Sequence, residues 1–167
     1  MKRRIFSVVL SAALLISTVF PTTASAAYRP CYNCSQGSST SQSGSISQIE
    51  RQAMEQVNRI RASRGLKPLV ISAELSAKAR VKAQDMKQKG YFSHNSPTYG
   101  TPFQMMKRLG ITYRSAGENI AMGYRSAEAV VNAWMNSPSH RAAILSTKYT
   151  TMGIGYADGY WAQWFIS

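Results

Sequence analysis

The stretch that most limits how this chain can fold is its last one, "MGIGYADGYWAQWFIS", Met152–Ser167. Asp158-Gly159 separates two runs rich in β-forming residues. An Asp-Gly pair between such runs is a two-residue hairpin signal, because its backbone matches the twist of the paired strands. Tyr156, Trp161, Trp164 and Phe165 alternate along these strands, and Trp164 and Phe165 read as sheet core or sheet face before they read as a binding box. A third strand is expected in "GENIAMGY", Gly117–Tyr124.

Upstream of the strands the chain is punctuated as helices. Ser47–Arg64 carries Ile49, Ala53, Val57 and Ile60 at a helical period, with Met54 alongside, and Gly65 ends the run. Pro68 breaks the chain. Ser72 caps a second helix, Ala73–Lys89, which turns Leu75, Ala79, Ala83 and Met86 inward and stops at Gly90. Thr101-Pro102 opens a short helix ending at Gly110, Ser126 opens another over Ala127–Asn136, and Ser137-Pro138 starts a brief one through Leu145. Trp134 is expected to fill the core. Helices first and antiparallel strands last predict an α+β sandwich. With 167 residues there is room for one domain and no second sizeable core.

The folded part does not start at residue 1. Lys2, Arg3 and Arg4 precede the apolar run Ile5–Phe20 and then "ASAA", the pattern of a secretory signal peptide over residues 1–26 with cleavage after Ala26. The run is too short and wrongly flanked for a membrane span. Residues 27–45 read as a tail, holding "CYNC" and then "SQGSSTSQSGS", a Gly/Ser-rich linker. Cys31 and Cys34 lack the second half of a zinc site and lie outside any βαβ pattern. In an oxidising compartment they read as a small local disulfide. The domain is then expected over residues 46–167.

Charge bounds the partners. The chain has 20 Lys/Arg against 7 Asp/Glu, and losing the three basic residues of the leader leaves a net charge of about +10, which attracts polyanions. For an exported monomer this points to an anionic cell wall or membrane surface. The positive residues are dispersed as on a solvated surface, so no specific nucleic-acid partner is expected.

The chain has 2 histidines. His94 lies in "YFSHNSP" and His140 in "NSPSHRAAIL", both Ser/Asn/Pro-rich turns beside helices. Spacing alone leaves open whether they are two solvent-facing turn residues or halves of one site. Ser137 and Ser139 near His140 invite a Ser-His reading, but no GxSxG elbow exists and Ser137 reads as a helix cap.

Four segments in order, "YFSHNSP", "AGENIA", "VVNAWMNSPSHRAAIL" and "YTTMGIGYADGYWAQWF", resemble the successive signatures of the CAP superfamily of cysteine-rich secretory, antigen 5 and pathogenesis-related 1 proteins, in its secreted bacterial SCP-domain branch. The resemblance covers about Ile49 to Phe165. It implies an α-β-α sandwich with a central antiparallel sheet flanked by helices. It also implies that His94 and His140 face one another across a cleft with Glu118 between them. A second acid of the family is expected where Gln104 stands, and Gln can serve neither as a base nor as a charged ligand. Asn119 and Arg141 are expected to brace the cleft wall.

Two neutral imidazoles and a carboxylate suffice as a shell for Zn²⁺ or another divalent cation with an open water position, with His94 and His140 as ligands. Without metal, Glu118 would orient a histidine or raise its pKa. Met105 and Met106, beside Phe103, either line an apolar groove or pack within a helix. Fold alone does not give function. The first expectation is a non-enzymatic, secreted binding module whose cleft takes a divalent metal and a lipid or wall-derived ligand. The second is a metal-dependent or acid–base hydrolase of peptide, wall or nucleic acid, with His94, Glu118 and His140 as candidate catalytic groups. The third is an envelope or spore-coat interaction protein.

Overall fold

In order along the chain come α1 (Gln48–Ala62), β1 (Val70–Ile71), α2 (Ala73–Lys89), α3 (Pro102–Arg108), β2 (Ala116–Met122), α4 (Ala127–Asn136), α5 (Pro138–Leu145), β3 (Thr151–Ala157) and β4 (Tyr160–Ile166). The structure, a computed structural model, describes residues 45–167. The leader, its cleavage site, Cys31 and Cys34, and the linker up to residue 44 lie outside the described residues. Among those described, no helix is long and apolar enough to cross a membrane.

The helix boundaries follow the capping chemistry. Leu75 N–H donates to Ser72 Oγ, Ala129 N–H to Ser126 Oγ, and Thr101 forms a reciprocal capping box with Gln104. Gly90 ends α2 in the left-handed conformation at φ 65°. Ser137 departs from expectation: it stands at the N-cap position of α5, yet its side chain caps nothing.

The sheet order is β1-β3-β4-β2. β3 and β4 form the expected Asp158-Gly159 hairpin, and β4 pairs antiparallel with β2 on its other side. The sheet is nonetheless mixed and not wholly antiparallel, because β1 pairs with β3 in parallel. β1 is only 2 residues long, too short to show any period, and it occupies the gap between the break at Pro68 and the cap at Ser72.

Side chains alternate across the sheet and so divide the core. Trp161 and Phe165 of β4, with Met152 and Ile154 of β3, join Ala53, Met54, Val57, Val130, Val131, Trp134 and Ile144 from α1, α4 and α5. On the other face Ala162 and Trp164 meet Leu75, Ala79 and Met86 of α2 and Met105 and Met106 of α3. Both methionines are fully buried, so they are core and not groove. On that face β3 presents Gly153 and Gly155, and an added Cβ at either would run into the α2 backbone at Leu75–Ser76 or Ala79–Arg80. The two glycines let α2 lie directly on the sheet.

Beyond β1, the outer edge of β3 is closed by side chains. Ile154 N–H donates to Ser76 Oγ and Tyr156 N–H to Glu50 Oε1. Glu50 is fully buried and also accepts from Ser47 N–H and Arg80 Nε. Burial pushes its carboxyl up, but the hydrogen bonds from Arg80, Ser47 and Tyr156 outweigh it and hold the pKa below the ordinary carboxylate value. A depressed folded-state pKa contributes stability above the unfolded value of 4.5 and loses it as pH falls through the folded one. Acid titration of stability should therefore be steep below pH 4.5 in the wild type. It should be shallower in Glu50→Gln, which is also less stable at neutral pH; equal slopes would show that Glu50 carries no such linkage.

Candidate functional site

Consecutive residues of β2 serve opposite faces of the sheet, and this places the site at the sheet's outer edge. Glu118 pairs with Trp164 on the α2 face, and Asn119 pairs with Gln163 on the other. Toward the α2 face, Glu118 meets the loop after α2. Its Oε1 lies 2.7 Å from His94 Nδ1, and its Oε2 accepts from Trp164 Nε1 at 2.7 Å. The Glu118 side chain is 2% exposed while His94 is 52% exposed. A buried carboxylate thus fixes the tautomer and orientation of an accessible imidazole and leaves Nε2 outward.

On the other face Asn119, itself buried, donates to His140 O at 3.2 Å and to Gln163 Oε1 at 3.1 Å. It braces the start of α5, as expected. Arg141 plays a similar part, donating to Met135 O at the end of α4. His140 Nδ1 is buried and has no hydrogen-bond partner among the described residues. Burial, and then the nearby His94, hold the His140 pKa below 6.5, so this imidazole stays neutral and able to ligate to lower pH than a free one.

The sequence reading missed Lys82. It is fully buried, and its Nζ donates to Ser93 O at 2.8 Å and His94 O at 2.9 Å. It also donates to Tyr91 Oη and lies 4.9 Å from that ring's centroid. Tyr91 Oη donates in turn to Asp85, which also accepts from Ser96 Oγ. Burial lowers the Lys82 pKa and raises that of Tyr91, while the charges of Glu118 and Asp85 oppose the fall at Lys82. Lys82 is the pin of the 91–96 loop that presents His94. It sits three residues past Ala79 on the inward face of α2, where its place in the helical period was the only available signal.

Four further residues near the motifs have roles of their own. Gln104 Oε1 accepts from Thr101 N–H at 2.8 Å in the capping box of α3. Ser137 Oγ and Ser139 Oγ lie 3.4 Å from each other, and neither hydrogen-bonds His140, so these two serines form no Ser-His pair. Trp164 is core, as expected, but its indole N–H also anchors Glu118.

Among the described residues no group of three or more His, Cys, Asp and Glu side chains is placed to hold a metal ion. Both oxygens of Glu118 are committed to His94 and Trp164, so this carboxylate is an outer partner and not a third ligand. What remains is His94 Nε2 and the orphaned His140 Nδ1, two imidazole nitrogens without a protein partner among the described residues, the donor type that a cation site completed by water or by a ligand would use. Beside His140 runs a groove of about 310 Å³ whose walls include Phe92, Met122, Tyr124 and Trp134. Phe92 and Met122 are each 48% exposed.

Comparison with known proteins agrees with this architecture. The profile of the cysteine-rich secretory protein family (CAP) matches residues 54–165. The uncharacterized protein YkwD of Bacillus subtilis (strain 168) is 52% identical over 129 residues, covering 76% of this chain and 50% of its own length. A solved extracellular protein containing an SCP domain from Bacillus anthracis str. Ames superposes with a TM-score of 0.66 at 36% identity, over 71% of this chain and 41% of its own. An outer surface protein of Borrelia burgdorferi shares the fold, with a TM-score of 0.63 at 24% identity over 70% of this chain and 90% of its own. The chain thus spans about half the length of YkwD and less of the B. anthracis protein. On the strength of the family match and the YkwD identity, this chain belongs to the cysteine-rich secretory protein family, the CAP superfamily.

Proposed function

We propose that this protein is a secreted, monomeric binding module whose cleft holds a divalent cation between His94 and His140 and takes an extracellular ligand, lipid or wall-derived, in the adjoining groove. One observation carries the reading: a buried carboxylate orients His94 while His140 beside it keeps a buried, unpartnered Nδ1. Such an arrangement leaves imidazole nitrogen free for a cation, and Zn²⁺ is the first to test. When bound, the cation would polarise a ligand oxygen or a water. Export is supported by the leader pattern and by the extracellular description of the B. anthracis relative. The excess of basic residues favours residence at an anionic wall or membrane surface, an attraction that salt weakens.

A hydrolase is the second reading, favoured by the Glu118–His94 pair, which has the form of a base and its orienting carboxylate. Against it stand the missing nucleophile and Gln104, which supplies no second acid. Melting curves with and without Zn²⁺, and turnover of protein, peptidoglycan and nucleic acid by the wild type and by His94→Ala/His140→Ala, separate the two. We expect Zn²⁺ to raise the melting temperature of the wild type only, with no turnover of any substrate. Wild-type turnover that vanishes in the double variant would make the protein an enzyme.

A further inference from the structure

β2 is an outer strand, and residues Ile120–Met122 form one wall of the groove beside His140. Gly123 N–H donates to Gly159 O and Ser167 N–H to Ser115 O. The odd-numbered residues of β2 therefore bond to β4, and the even-numbered ones, Glu118, Ile120 and Met122, turn their N–H and C=O groups the other way. Two side chains already use that edge: Tyr149 Oη donates to Ala116 O and Trp134 Nε1 to Ile120 O. Among the described residues, the remaining outward groups of Glu118, Ile120 and Met122 meet no protein partner.

An open strand edge is a template for another strand. It also selects against a purely apolar occupant. An acyl chain laid along the groove would cover these N–H and C=O groups without satisfying them, at a cost for each. An extended peptide would satisfy them, and its alternate side chains would fall between Phe92, Met122 and Tyr124. The surrounding charge narrows the choice further. Arg125 directly follows the wall residue Tyr124, and Arg141 directly follows His140. Both are exposed, and neither forms an ion pair among the described residues.

We propose that the free edge of β2 over Glu118–Met122 docks an extended, acidic peptide by strand addition, main-chain bonds supplying affinity and the groove selecting alternate side chains. This rests on the reading of the groove as a ligand site and sets a peptide there in place of the lipid.

The test is amide hydrogen exchange of the protein with a capped hexapeptide, Val-Glu-Val-Glu-Val-Glu, at about 5 mM, a concentration suited to a weak strand addition. Two further peptides carry N-methyl groups on one or the other alternate set of amides, and decanoate serves as the acyl control. We expect the parent peptide to slow exchange at Ile120 and Met122 by about tenfold or more. One methylated set should abolish the effect and the other preserve it. Met122→Pro, which deletes an outward N–H at an edge where proline is tolerated, should weaken peptide binding and leave the Zn²⁺ response intact. No slowing with the parent peptide, equal slowing with both methylated sets, or slowing by decanoate alone would overturn the proposal. Zn²⁺-induced stabilisation is read on the same samples. Stabilisation without peptide protection removes only the peptide, and protection without stabilisation removes only the cation.

Discussion

Trp134→Ala should cost about 3–5 kcal/mol of stability. The side chain is 1% exposed and stands edge-on to Trp161, ring centroids 6.5 Å apart. Its neighbours come from α1, α4, α5 and the sheet, rigid elements that cannot collapse into the space an indole leaves. The substitution also removes the donor on Ile120 O, one of the few side-chain bonds on the outer edge of β2. A denaturant titration measures this as a lower midpoint at an unchanged slope. A loss under about 1 kcal/mol would mean that the site repacks and that Trp134 is not the keystone of that layer. By contrast His140→Ala should unfold nothing, since the ring is only partly buried and its Nδ1 holds no bond that folding depends on.

The second large effect is at Lys82. Lys82→Met keeps the apolar stem but removes the ammonium, leaving Ser93 O and His94 O without their donor and taking away a positive charge felt by Glu118 and Asp85, although Asp85 keeps its ion pair with Lys89. We expect a loss of about 2–4 kcal/mol, chiefly from the two buried carbonyls left unsatisfied. Because the 91–96 loop loses its pin, Zn²⁺ affinity should also fall by about tenfold, although Lys82 is no ligand. Full stability with unchanged affinity would show that the loop is held by other means.

Most of the architecture was legible because it is written in local chemistry. Ser72, Thr101 and Ser126 cap where they were expected to, and Asp158-Gly159 makes the hairpin. Such signals act over a few residues, so one sequence carries them. β1 was not legible, since two residues define no period and its partner is 81 positions away at Thr151. The site was only half legible. His94, Glu118 and His140 came from motif order. Their couplings depend on strand register, which sets Glu118 beside Trp164 and sends Asn119 to the other face. Gln104 has a local role that the resemblance did not show. It occupies the position of an acid in the resemblance, but its own local role as the third residue of a capping box prevailed. Lys82 carried no motif of its own, and only the loop folded over it reveals what the ammonium is for.

The central claim is that His94 and His140 together hold a cation with Glu118 acting from behind. Calorimetric titration of Zn²⁺ at about pH 7 into the wild type, His94→Ala, His140→Ala and Glu118→Gln tests it most directly. The account predicts one site in the wild type, binding lost in either alanine variant, and an affinity reduced by about 10–100-fold in Glu118→Gln, where the imidazole keeps a hydrogen bond but not the charge. Zn²⁺ bound equally well by the wild type and both alanine variants, or not bound by the wild type at all, would contradict it.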